Sequence, residues 1–157
     1  MLRISKLTDY ATVILAYLAR GETTCHSAPE VAAATGIATP TVSKLLKELQ
    51  KYGLVRSTRG AKGGYALARP ATEISAAQII DAVEGPVSLT ECTHHPGQCE
   101  LEGSCAVGST WQRVSLAIRA ALAELKLSQL SGRDASPVPV PKLHGMAESP
   151  IVWRGRT

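Results

Sequence analysis

Residues 39–52, TPTVSKLLKELQKY, constrain this chain more than any other stretch. Val42, Leu45, Leu46 and Leu49 recur at intervals of three and four, so a helix gathers them on one face. Thr41, Ser43, Lys44, Lys47 and Lys51 fall on the other. Thr39-Pro40 reads as a cap followed by proline at the first helical position, and Gly53 as the stop. A helix so divided buries one side in a core and offers a cationic side to an anionic partner.

Its neighbours supply that core. Residues 5–20, SKLTDYATVILAYLAR, predict a helix with an apolar stripe of Leu7, Ala11, Ile14, Leu15 and Leu18, ended by Gly21. Ser27-Ala28-Pro29-Glu30 has the capping-box form and opens a second helix that buries Val31 and Ala32 and ends at Gly36. After the basic helix come two strand-like pieces, Leu54–Thr58 and Tyr65–Ala68, around the basic loop Arg59-Gly60-Ala61-Lys62-Gly63-Gly64. Three helices and a basic hairpin are the parts of a winged helix-turn-helix, whose third helix enters the DNA major groove. The expected fold is therefore mainly α with a small β-hairpin wing over residues 1–70. Thr41, Ser43 and Lys44 are the candidates for base contacts, Lys47 and Lys51 for phosphate. Arg59 and Lys62 in the wing would approach the minor groove or the backbone.

Residues 71–108 read as a linker helix and a loop. Ser75-Ala76-Ala77-Gln78 caps a helix to Glu84, and Gly85-Pro86 ends it before an irregular stretch that carries Cys92, Cys99 and Cys105. From Ser109 to about Leu130 a long helix is expected within residues 109–131. Trp111, Val114, Ile118, Leu122 and Leu125 give it a narrow apolar seam, suited to pairing two copies of the chain. Residues 132–157 hold four prolines and three glycines without periodicity and are expected to be a disordered tail.

Charge divides the same way. Residues 1–70 carry ten Lys and Arg against four Asp and Glu; residues 71–110 carry six acids and no base. A basic first part followed by an acidic insert suggests a polyanion contact joined to a second task. No apolar run reaches the roughly 18–20 residues that span a bilayer. Asp9 interrupts the N-terminal apolar stretch and no small-residue cleavage site follows, so a secreted or membrane protein is not expected. A cytoplasmic chain keeps its thiols reduced, which disfavours disulfides.

The spacing Cys92-x6-Cys99-x5-Cys105 lacks the close cysteine pair of most structural zinc sites and the Cys-x-x-Cys of thioredoxin-type chemistry. Three thiolates on one glycine-containing loop could hold an iron–sulfur cluster. Structural zinc, a thiol switch, or a thiol redox enzyme or electron carrier are the alternatives that spacing alone leaves open. No nucleophile–base pair or phosphate-cradling loop can be assembled, so an enzyme is not the expectation.

Several of these stretches in this order resemble one family. They are Ile4-Ser5-Lys6-Leu7-Thr8-Asp9-Tyr10-Ala11, the capped helix through Leu54-Val55, the wing Arg59-Gly60-x-Lys62-Gly63-Gly64-Tyr65-x-Leu67, residues 79–85 and the three cysteines. Over residues 1–130 the chain resembles the iron–sulfur-sensing winged-helix regulators that include IscR and NsrR, most of all the branch that regulates the SUF cluster-assembly operon. The resemblance implies a homodimeric repressor of palindromic double-stranded DNA with a 2Fe–2S or 4Fe–4S cluster on Cys92, Cys99 and Cys105. IscR-like members place a histidine three residues after the third cysteine, where this chain has Gly108. NsrR-like members use an aspartate early in helix one of the partner subunit, the position of Asp9. The first cysteine gap is one residue longer than in those relatives. Asp9 is thus the implied fourth ligand, with His94, His95 and Glu102 as local rivals.

Overall fold

A computed structural model describes residues 4–21, 24–60, 63–87, 89 and 107–132. Along the chain these form α1 (Lys6–Arg20), α2 (Ala28–Thr35), α3 (Thr39–Lys51), β1 (Val55–Thr58), β2 (Gly64–Leu67), α4 (Ala76–Val83), α5 (Gly108–Glu124) and α6 (Leu127–Leu130). Of the expected tail over residues 132–157, residues 133–157 lie outside the described residues, as do Lys62 and residues 90–106.

α1 begins where the extended Ser5 turns its hydroxyl to accept the Thr8 N–H at 3.2 Å. Ala11, Ile14, Leu15 and Leu18 of its expected stripe are buried, whereas Leu7 is 41% exposed. This helix packs against α2, α3, β2, α4 and α6, and its stripe joins Val31, Val42, Leu46, Leu49, Leu54, Ile74, Ile79 and Leu127 in one core. α2 closes with the expected reciprocal cap, and Gly36 ends it in the left-handed region at φ 71°. α3 starts one residue differently from expectation. Ala38, not Thr39, is the cap, so Thr39 is already helical. Pro40 sits in the first turn, where its missing N–H would have had no helical partner.

The hairpin is antiparallel, with Val55 opposite Leu67 and Thr58 opposite Gly64. On the other side of β2, His26 exchanges both backbone hydrogen bonds with Tyr65, at 2.9 and 2.8 Å. The wing is thereby rooted to the chain just before α2. This explains Gly64: at φ +155° a Cβ would lie 2.6 Å from the His26 carbonyl oxygen.

The expected single helix to Leu130 is broken. Leu125 is extended, at φ −77° and ψ 114°, and its carbonyl accepts the Ala76 N–H at 2.8 Å. Lys126 bridges Ser75, and the Leu127 N–H donates to the Ile74 carbonyl at 2.8 Å. The first N–H groups of a helix lack intrahelical partners. The break supplies one to α4 and drops Leu127 into the core. Nothing in Leu122, Leu125 and their neighbours interrupts the periodicity, so the sequence carries no signal of it. α5 itself leans on α4, where Arg119 holds Asp81 by two 2.6 Å bonds. That bidentate grip raises the guanidinium pKa further, burial opposing it.

Leu127 thus belongs to the core although it follows the seam helix. Leu127→Ala should lower unfolding stability by about 2–5 kcal/mol in urea titrations. Leu130 is 39% exposed, so Leu130→Ala should cost under about 1 kcal/mol. Equal, small effects would place α6 outside the core.

Candidate nucleic-acid interface

Burial of Val42, Leu45, Leu46 and Leu49 orients α3 and leaves its basic side outward. Lys44, Lys47 and Lys51 are exposed, as are Thr39 and Pro40, while Thr41 and Ser43 are half-buried beside them. Lys51 is not a free cation: its Nζ lies 2.8 Å from Glu48 Oε1, one turn back. Such a surface pair contributes only about 0.2–0.5 kcal/mol, yet it offsets the charge that would meet phosphate. Arg59 and Gly60 are exposed at the end of β1, beyond the root made by His26 and Tyr65. Arg56 was missed by sequence reasoning. It is an exposed cation on β1, its Nε donating to the Leu67 carbonyl at 3.3 Å, and its place next to the buried Val55 was the available signal.

The first turn of α1 carries Asp9, which is exposed. It borders a surface depression with Ile4, Ser5 and Lys6, and no hydrogen bond or ion pair engages its carboxylate among the described residues. The turn is held from outside. Glu84 Oε1 accepts the Ser5 N–H at 3.1 Å and also the Thr8 hydroxyl. Burial works against its charge, but the bonds from Thr8 and Ser5 outweigh that and hold the carboxyl below its ordinary pKa.

Cys92, Cys99 and Cys105 lie outside the described residues, with the rivals His94, His95 and Glu102. The flanks are placed: the Leu89 N–H donates to Ser115 Oγ at 3.2 Å, and Val107 precedes α5. Among the described residues no three His, Cys, Asp or Glu side chains gather as metal ligands. Cys25 stands elsewhere, with Sγ 3.8 Å from Thr58 Oγ1 beside the wing. On α5, Trp111 and Val114 are 46% and 39% exposed, while Ile118 and Leu122 are half-buried, so the upper seam faces out from its own chain.

Comparison with known proteins gives this arrangement a family. The Rrf2 model, described as an iron-dependent transcriptional regulator, matches residues 4–133. The chain belongs to the Rrf2 family. The regulator IscR of Cereibacter sphaeroides is 32% identical over 149 residues, covering 90% of this chain and 96% of that one. Among solved structures, CymR, the global cysteine regulator of B. subtilis, matches with a TM-score of 0.66 and 29% identity over 85% of this chain and 99% of CymR. T. potens IscR matches with a TM-score of 0.63 and 27% identity over 85% of this chain and 89% of its own. This Rrf2 protein is a winged-helix, DNA-binding transcriptional regulator, and not an enzyme. Among the described residues no helix is long and apolar enough to cross a membrane.

The exposed lysines allow a graded test. With a non-specific duplex, Lys44→Ala and Lys47→Ala should each flatten the log affinity against log salt slope by about 1 per bound subunit. Lys51→Ala should flatten it less, because Glu48 already neutralises it. Slopes unchanged in the first two would remove this face of α3 from the DNA contact.

Proposed function

We propose that this Rrf2 protein is a cytoplasmic, homodimeric repressor that binds palindromic DNA and responds to an iron–sulfur cluster, 2Fe–2S or 4Fe–4S, with cluster-assembly genes among its targets. α3 would enter the major groove through Thr41, Ser43 and Lys44, with Lys47 and Lys51 toward phosphate and Arg59 and Lys62 reaching from the wing. The outward seam of α5 is suited to join two copies, and two linked readers match two half-sites.

One observation carries the sensing part: three thiols fall within fourteen residues, between the helix that packs on α1 and the seam helix. Donor chemistry fits the group. Cys92, Cys99 and Cys105 would provide soft anionic ligands, as iron–sulfur clusters require. Asp9 supplies an exposed carboxylate with no described partner, available to a partner subunit as a harder fourth ligand. When bound, such a cluster supplies a centre that responds to iron supply and oxidants. The protein's part is to hold it between the cysteine segment of one subunit and α1 of the other. CymR and IscR share this fold under different names, so fold alone does not choose the signal. The thiol set favours a cluster.

Anaerobically purified protein should be brown and contain iron and acid-labile sulfide in equal amounts, about two or four of each per chain. Cys92→Ala, Cys99→Ala and Cys105→Ala should each lower both counts several-fold. A colourless protein with stoichiometric zinc would overturn the sensing assignment while leaving the regulator intact.

A further inference from the structure

α2 and α4 close their N-termini with their own residues. Glu30 reaches back to the Ser27 N–H at 2.7 Å, and Gln78 to the Ser75 N–H at 3.0 Å, each from three positions past the cap. α1 has the same serine cap, but Thr8 occupies that third position. A threonine side chain is too short to reach back to the cap N–H. The missing carboxylate comes from 79 residues away: Glu84, the C-cap of α4, accepts the Ser5 N–H and the Thr8 hydroxyl through one oxygen. Thr8 is only 2% exposed, so its hydroxyl needs that partner.

The turn so completed is the one that presents Asp9. Asp9 follows Thr8 directly, and its N–H donates to the Ser5 carbonyl at 3.1 Å as the helix starts. We infer that Glu84 is a positioning residue for Asp9: it completes the α1 cap from α4 and fixes the carboxylate that Asp9 offers to the cluster. The inference rests on the proposed ligand role of Asp9. Glu84 also precedes Gly85, whose φ is 89°, and the chain that leads to Leu89 and the cysteine segment. One side chain therefore ties the approach to the three thiols to the turn that bears the fourth donor. A shift in the cysteine segment would reach α1 through this pair of hydrogen bonds as well as through the packing of α4 on α1.

The test uses the full chain, loaded with its cluster anaerobically, and compares Asp9→Ala, Glu84→Ala, Glu84→Gln and the double alanine variant. The readouts are the visible circular dichroism spectrum and the rate of cluster loss in air. Glu84→Ala should move the spectrum in the direction of Asp9→Ala and speed cluster loss about tenfold, the lower end of what outer-shell partners confer. Glu84→Gln keeps an acceptor oxygen for both bonds and should restore the wild-type signature. The double variant should lose its cluster no faster than Asp9→Ala alone, because both changes act through one ligand. In the cluster-free protein, the Ser5 amide should exchange faster in Glu84→Ala and normally in Glu84→Gln. An altered Asp9→Ala protein beside a folded Glu84→Ala protein that matches wild type would overturn the positioning role. So would a Glu84→Gln protein as labile as Asp9→Ala. An Asp9→Ala protein identical to wild type would overturn the ligand reading itself, and the inference with it. Should Glu84→Ala not fold, Thr8→Val removes one of the two bonds and should shift the same signature partway. A Thr8→Val protein equal to wild type would then overturn the inference.

Discussion

Burial of the α1 stripe is the interaction on which the remaining structure depends. Ala11, Ile14 and Leu15 have no exposed surface, and Leu18 has 1%. Removing each of the three large side chains from water stabilises the fold by about 1.5–3 kcal/mol. α2, α3, β2, α4 and α6 all rest on this one helix. The direction in which α3 presents its lysines is therefore set from behind, by the contact of Val42, Leu46 and Leu49 with that core. The first turn of the same helix bears Asp9. One helix thus supports α3 from behind and offers a carboxylate at its start.

Much of this was legible because periodicity and caps are local. The stripe of α1, the reciprocal caps of α2 and α4, and the apolar face of α3 all follow from residues within one or two turns of each other. The exposure of Lys44 and Lys47 follows from that face. What escaped depends on distant backbone. α5 ends at Glu124 because the carbonyl of Leu125 meets the Ala76 N–H, and no residue near Leu125 announces it. The adjacent Gly63 and Gly64 read as loop glycines, yet Gly64 is required by the His26 carbonyl pressed against it. The reading of Lys51 as a phosphate contact carried no sign of its pairing with Glu48 one turn back. Glu84 was invisible as a cap, since it lies 79 residues from the serine it serves. The cysteines are the reverse case: their spacing speaks in the sequence, and their geometry lies outside the described residues.

α4 is the element that touches both halves of the proposed function. It packs on α1 and α3 from one side and on α5 from the other, where Arg119 grips Asp81. Its end, Glu84, holds the α1 cap. Under the proposed function, a change in the segment between α4 and α5 would therefore be delivered to the helix assigned to DNA and to the seam assigned to the second subunit. Allosteric coupling of this kind is a free energy shared between two sites, and it is reciprocal for binding.

The most direct test is operator affinity of one preparation before and after its cluster is removed. The probe would be a duplex selected from a random library by the cluster-loaded protein, at fixed salt. The account predicts that affinity changes at least about tenfold, a coupling of roughly 1.4 kcal/mol. Equal affinity with and without the cluster would contradict it, leaving a winged-helix regulator whose cysteine segment does not control DNA.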